Sequence, residues 1–192
     1  MVFNHLILKE IKKMKKFKLS LLFSICLVLI FAATAFAQTE IFSDENVDYT
    51  FEIPEKEWKM TSKPSNLSPN VEYVYGNTTS GHLEIRKLSM KSGEDLDDVI
   101  QSEEDKLQFK PGYVTGKEEV FRGSLIGKVF NFEFIRSGRN MSGRYYFLKA
   151  DETTVYVLRF EAFRDKLLTI RNQTDSMART FKIKSNGNGK GK

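Results

Sequence analysis

Three arginines surround one short turn-forming stretch: Arg136, Arg139 and Arg144 lie in and around Ser137-Gly138-Arg139-Asn140-Met141-Ser142-Gly143. A guanidinium presents a planar fork of donors that matches a carboxylate or a phosphate, so convergence of the three would make an anion-binding site. The plainer alternative is a solvated hairpin tip, because charged residues are common in turns and no Gly-rich phosphate loop accompanies these. Other chemistry has less to draw on. His82 is the single histidine after residue 37. It follows Gly81 at the start of a strand-like run, with no Gly-x-Ser-x-Gly or similar nucleophile signature nearby, so no catalytic residue is assigned. Acidic residues gather at Glu94, Asp95, Asp97 and Asp98 and again at Glu103, Glu104 and Asp105. Their spacing suits a solvated helix face rather than the alternating ligands of a calcium loop, so neither a metal site nor a cofactor is expected.

The arginines must be positioned by strands. In Val129-Phe130-Asn131-Phe132-Glu133-Phe134-Ile135-Arg136 the aromatics fall on every second residue, which aligns Phe130, Phe132 and Phe134 on one face of an extended chain. Thr154-Val155-Tyr156-Val157-Leu158-Arg159-Phe160-Glu161-Ala162 repeats the pattern, with apolar residues on both faces. Such strands need cover on both sides. With turn residues at 137–143 and at 150–153, residues 112–162 read as a four-strand antiparallel meander.

Upstream, Asp48-Tyr49-Thr50-Phe51-Glu52-Ile53-Pro54 alternates and should be the first strand, ended by its proline. Glu57-Trp58-Lys59-Met60-Thr61 is a short partner, and residues 71–75 and 82–90 read as a hairpin. The period then changes. Ser92 and Asp95 have capping-box spacing ahead of a helix whose stripe is Leu96, Val99, Ile100 and Leu107, with Glu103 interrupting it. A second helix is expected after the meander, capped by Asp165 and carrying Leu167, Ile170, Arg171, Thr174, Met177, Ala178 and Phe181 at helical spacing, a stripe that is mostly apolar.

Of the 192 residues, the first 37 read as an export leader. Six lysines precede an apolar run over residues 19–33, and Ala35-Phe36-Ala37 supplies the small-x-small pattern of a cleavage site before Gln38. Retention of the run as a membrane anchor is the alternative, and Met14-Lys15-Lys16-Phe17-Lys18 is a compact second candidate start. Residues 38–184 form one domain, and residues 185–192, rich in Gly, Asn and Lys, have nothing to bury and read as a disordered tail. Outside the leader there are 24 basic and 24 acidic residues, so the pI of about 9.1 gives no basis for nucleic-acid binding. Cys26 falls in the leader, which leaves the remainder neither disulfide nor thiolate.

The order strands, helix, four-strand meander, helix predicts an α+β fold, an antiparallel sheet flanked by helices on both faces. With Phe51-Glu52-Ile53-Pro54-Glu55-Lys56-Glu57-Trp58, the meander, and a closing helix leading to Arg179-Thr180-Phe181-Lys182-Ile183, the chain resembles the PsbP-like superfamily over residues 47–184. That superfamily includes an extrinsic photosystem subunit, exported bacterial relatives and a Ran-binding import factor. The resemblance implies an αβα sandwich and a non-enzymatic, exported domain that binds or supports assembly of another envelope component, with an envelope protein or an anionic surface as partner. A hydrolase with an unrecognised site and a photosystem-associated subunit are the alternatives.

Overall fold

The computed structural model describes residues 39–184. The leader and the tail proposed above lie outside the described residues. The order is β1 (Glu40–Ser43), β2 (Tyr49–Ile53), β3 (Trp58–Ser62), β4 (Val71–Tyr75), β5 (Asn77–Ser89), α1 (Leu96–Leu107), β6 (Val114–Arg122), β7 (Ile126–Arg136), β8 (Arg139–Lys149), β9 (Thr154–Phe163), α2 (Arg164–Thr169), α3 (Arg171–Thr180) and β10 (Lys182–Ile183). Most of this is antiparallel sheet, with few helices. Seven strands pair in the order β3-β4-β5-β9-β8-β7-β6, and a separate three-stranded sheet runs β1-β2-β10.

The meander is β6 to β9, each strand antiparallel to the next. Phe130, Phe132 and Phe134 share what we call the first face of the large sheet, buried with Met141, Tyr145, Phe147, Val155 and Val157 against Val99, Ile100 and Leu107 of α1. The second face carries Tyr146, Leu148, Tyr156, Leu158, Phe160 and Ala162, packed with Tyr49, Phe51 and Ile53 of β2 and with Leu167, Ile170, Met177, Ala178 and Phe181. Residues that alternate along β9 thus serve two cores, which is why that strand is apolar on both sides.

Four local expectations change. Asp48 to Pro54 does contain a strand, but β2 belongs to the small sheet, so part of the second layer is sheet rather than helix. The N-cap of α1 is Asp95 rather than Ser92. Its Oδ1 accepts the N–H groups of Asp97 at 2.8 Å and Asp98 at 3.1 Å, and the Asp98 carboxylate accepts the Asp95 N–H at 2.9 Å. Residues 91–94 close a turn of their own, with the Glu94 N–H on the Lys91 carbonyl, so the helix starts one box later. Asp165 caps nothing: β9 runs straight into α2 through Phe163, and Asp165 sits in the first turn, where a negative charge suits the helix dipole. The expected single helix is divided at Ile170, whose φ of −94° and ψ of 7° leave the helical range while its side chain stays buried.

Candidate functional site

The hairpin between β7 and β8 closes with two residues, Ser137 at φ 51° and Gly138 at φ 72°, and sets Arg136 opposite Arg139. Two successive residues in the left-handed region are the geometry that matches the twist of paired strands. Because the turn is this tight, Arg144 lies well inside β8. Residues 139 and 144 are an odd number apart, so they point to opposite faces of the sheet. The structure therefore brings Arg136 and Arg139 together on the first face and sets Arg144 on the second.

Each of the three is already engaged. Arg136 Nη2 donates to Glu161 Oε2 at 2.5 Å. The Arg139 guanidinium lies 3.6 Å over the centre of the Phe163 ring. Arg144, buried, donates to the Tyr146 hydroxyl at 2.6 Å, Asn131 Oδ1 at 2.7 Å and Asp175 Oδ1 at 2.9 Å.

Around Glu161 the first face carries a polar network. Glu161 Oε1 accepts from Lys110 Nζ at 2.6 Å and from the Tyr145 hydroxyl at 2.7 Å. Burial pushes the Glu161 carboxyl up, but the Lys110 bond and charge, with Tyr145 and Arg136, override it and hold the carboxyl below its ordinary value. Burial and the Glu161 charge both push the Tyr145 hydroxyl well up, so it acts as a neutral donor. Next to it, Arg159 faces Glu84 across the strands at 3.3 Å and also pairs with Glu103 of α1, which takes Lys106 at 2.6 Å as well. Two hollows of about 290 and 220 Å³ flank this network and share Glu84, Tyr145, Arg159 and Glu161. Close packing allows the arrangement. A Cβ on Gly143, directly across from Glu161, would lie 2.1 Å from the Phe132 ring, so only glycine lets that ring lean over β8.

This network was only half visible in the sequence. Glu103 interrupts an apolar stripe in the sequence, and it is buried on that stripe. Glu84, Arg159 and Glu161 are likewise charges at core-facing strand positions, the one local signal that they need partners. What that arrangement can do chemically is limited. Every carboxylate in it faces a cation, and the hydroxyl that adjoins one of them, that of Tyr145 on Glu161, is held neutral as a donor. His82 Nε2 lies 3.2 Å from Glu72 Oε2 on neighbouring strands. No group of three or more metal-ligating side chains occurs among the described residues.

On the second face a larger cleft of about 440 Å³ lies between the β6 to β8 strands and the α2–α3 pair. Asn131, Ser142 and Arg144 contribute from the strands, Leu167 and Leu168 from α2, and Val114 from the edge strand. Arg164 and Arg171 complete the lining from the helices, and each has a surface partner: Arg164 Nε lies 3.1 Å from Glu133 Oε1, and Arg171 Nη2 lies 4.0 Å from Glu119 Oε2. Arg164 does not stand out in the sequence and Arg171 does so only as a member of the helical stripe, because only the break at Ile170 and the packing of the pair on the sheet turn them toward β6 and β7.

No family model matches the chain, and no curated protein sequence does. Solved structures do share its architecture. Cyanobacterial PsbP (CyanoP) from Synechocystis sp. PCC 6803 is 12% identical, with a TM-score of 0.54 over 78% of this chain and 95% of that one. The Ran-binding protein Mog1p of Saccharomyces cerevisiae is 8% identical, with a TM-score of 0.56 over 76% and 95%. LpqN of Mycobacterium tuberculosis, described as involved in cell envelope biogenesis, is 14% identical, with a TM-score of 0.51 over 77% and 92%. The chain has the PsbP/Mog1-like fold.

Proposed function

We propose that this chain is an exported, non-catalytic binding domain that holds, or supports assembly of, another component of the cell envelope. The observation that carries the reading is the condition of its polar side chains. Glu161, Glu103 and Arg144 are each engaged by two or more partners, an arrangement that holds these side chains in place and leaves none of the three poised as an acid or base for turnover. The scaffold is read as an αβα sandwich, with α1 over the first face and α2 and α3 over the second. The fold neighbours support binding rather than chemistry, since one is a Ran-binding protein and another is tied to envelope biogenesis. Export rests on the order of basic segment, apolar run and Ala-x-Ala before Gln38.

The test is fractionation of the native host, combined with photo-crosslinkers placed at Arg139 on the hairpin tip and at Leu168 on the cleft. A chain beginning at Gln38, recovered from the exported fraction and crosslinked to one envelope component, is the expected result. A full-length species retained in the cytosol, with no discrete crosslink from either position, would sink the proposal.

A further inference from the structure

We propose that the cleft between the β6 to β8 strands and the α2–α3 pair is a binding site for a small apolar monocarboxylate, with Arg171 receiving the carboxylate. The inference rests on the binding reading above, but not on export or on a macromolecular partner. At about 440 Å³ the cleft falls within the roughly 300–1,000 Å³ typical of small-molecule sites.

Two features select the ligand. The first is apolar wall left in water. Leu167 is buried, whereas its neighbour Leu168 is 67% exposed and Val114, on the strand side of the same cleft, is 59% exposed. Aliphatic side chains lining one concavity gain by covering an apolar body seated between them.

The second feature is charge. The lining holds Arg144, Arg164 and Arg171 against the single carboxylate of Glu133. Arg144 is neutralised by Asp175 at 2.9 Å, and Arg164 by Glu133 at 3.1 Å. Among the described residues Arg171 has only Glu119 at 4.0 Å, with both side chains about half exposed, so water screens that pair and little holds it. One guanidinium is thus available, and its planar fork suits a carboxylate held by two parallel bonds. A monoanion satisfies it. A dianion would set its second charge against Glu133, and a neutral amphiphile would leave Arg171 unused.

Octanoate is the probe, with octanol, acetate and the eight-carbon dicarboxylate suberate as comparators, followed by amide chemical shifts of the purified protein. Octanoate should give saturable shifts centred on Val114, Ser142, Leu168 and Arg171. The three comparators should each bind at least about tenfold more weakly, the scale of one lost charged or apolar contact. Arg171→Gln should weaken octanoate about tenfold while leaving octanol unchanged, and Leu168→Glu should weaken both. Both positions are exposed enough that the fold tolerates the substitutions, which an unchanged melting temperature confirms. Equal affinity for octanol and octanoate, no effect of Arg171→Gln, or shifts mapping to another face would each overturn the assignment. If octanoate fails while the envelope crosslink persists, the ligand is wrong and the binding-domain reading survives; loss of the crosslink with octanoate binding intact means the reverse.

Discussion

Phe132 and Glu161 sit on the same face of the sheet, one ring and one charge, and they set the limits of what that face tolerates. Phe132 is buried on β7 between the rings of Phe130 and Phe134, with Tyr145 edge-on at a centroid distance of 4.9 Å. Phe132→Ala should cost about 3–5 kcal/mol, the lost transfer energy plus the cavity left among these rings. Urea denaturation measures it, and a loss below about 1 kcal/mol would place the ring in solvent. Glu161→Gln should cost on the order of 2 kcal/mol, less than the ~3–5 of a fully buried pair because Arg136 is half exposed. The sign with pH follows from the direction of the shift. The carboxyl is held below its ordinary value of 4.5, so its contribution is complete above that value and is lost as pH falls from there through the lower folded value. Asp48 acts in the same direction: burial opposes ionisation, but Lys87 and the Tyr156 hydroxyl override it. Stability measured from pH 6 down to pH 3 should therefore fall less steeply in Glu161→Gln than in the parent; parallel curves would remove Glu161 from the account.

Among the elements, α1 is the one whose start can be tested without touching the core. The Asp95 side chain satisfies two first-turn N–H groups, and its own N–H is taken by Asp98. Asp95→Ala should cost about 1 kcal/mol, whereas Ser92→Ala should be close to neutral. The reverse result would move the helix start three residues toward the N-terminus. At the other end of the chain, β10 changes how the basic C-terminal lysines are understood. Lys182 pairs with Thr50 in the small sheet, and Lys184 donates Nζ to the carbonyls of Asp44 and Val47. Two of the four lysines beyond Phe181 are therefore structural, and only Lys190 and Lys192 remain outside the described fold.

That division gives a prediction for the whole molecule. Residues 38–181 carry 20 basic and 24 acidic residues, so the body is acidic and the C-terminal lysines oppose it. Removing residues 185–192 should leave the melting temperature unchanged and weaken sedimentation with anionic vesicles at low salt, by at most about 1 kcal/mol per lysine. Removing residues 182–192 should lower the melting temperature as well, because β10 and the Lys184 contacts go with it. Equal melting temperatures for the two truncations would mean that β10 contributes nothing, and a drop with the shorter one would mean that the tail docks on the body.

Periodicity by itself determined the meander, the two-sided core of β9 and the apolar stripe of α1, because alternation and helical spacing are local properties that fix which side of an element is apolar. Turn residues placed a hairpin next to Arg136 and Arg139, though not next to Arg144, and helical spacing marked Glu103. Only the tertiary structure decided the rest. The two-residue turn at Ser137 and Gly138 put Arg144 on the face opposite Arg136 and Arg139, a consequence of strand register that composition does not encode. Glu161 meets Lys110 from 51 positions away, and Arg144 meets Asp175 across 31, pairings that depend on how α1 and α3 lie on the sheet. The cleft arises in the same way. Arg171 and Val114 line it together because the chain breaks at Ile170 and β6 ends the sheet, and the spacing of charges along the chain reports neither.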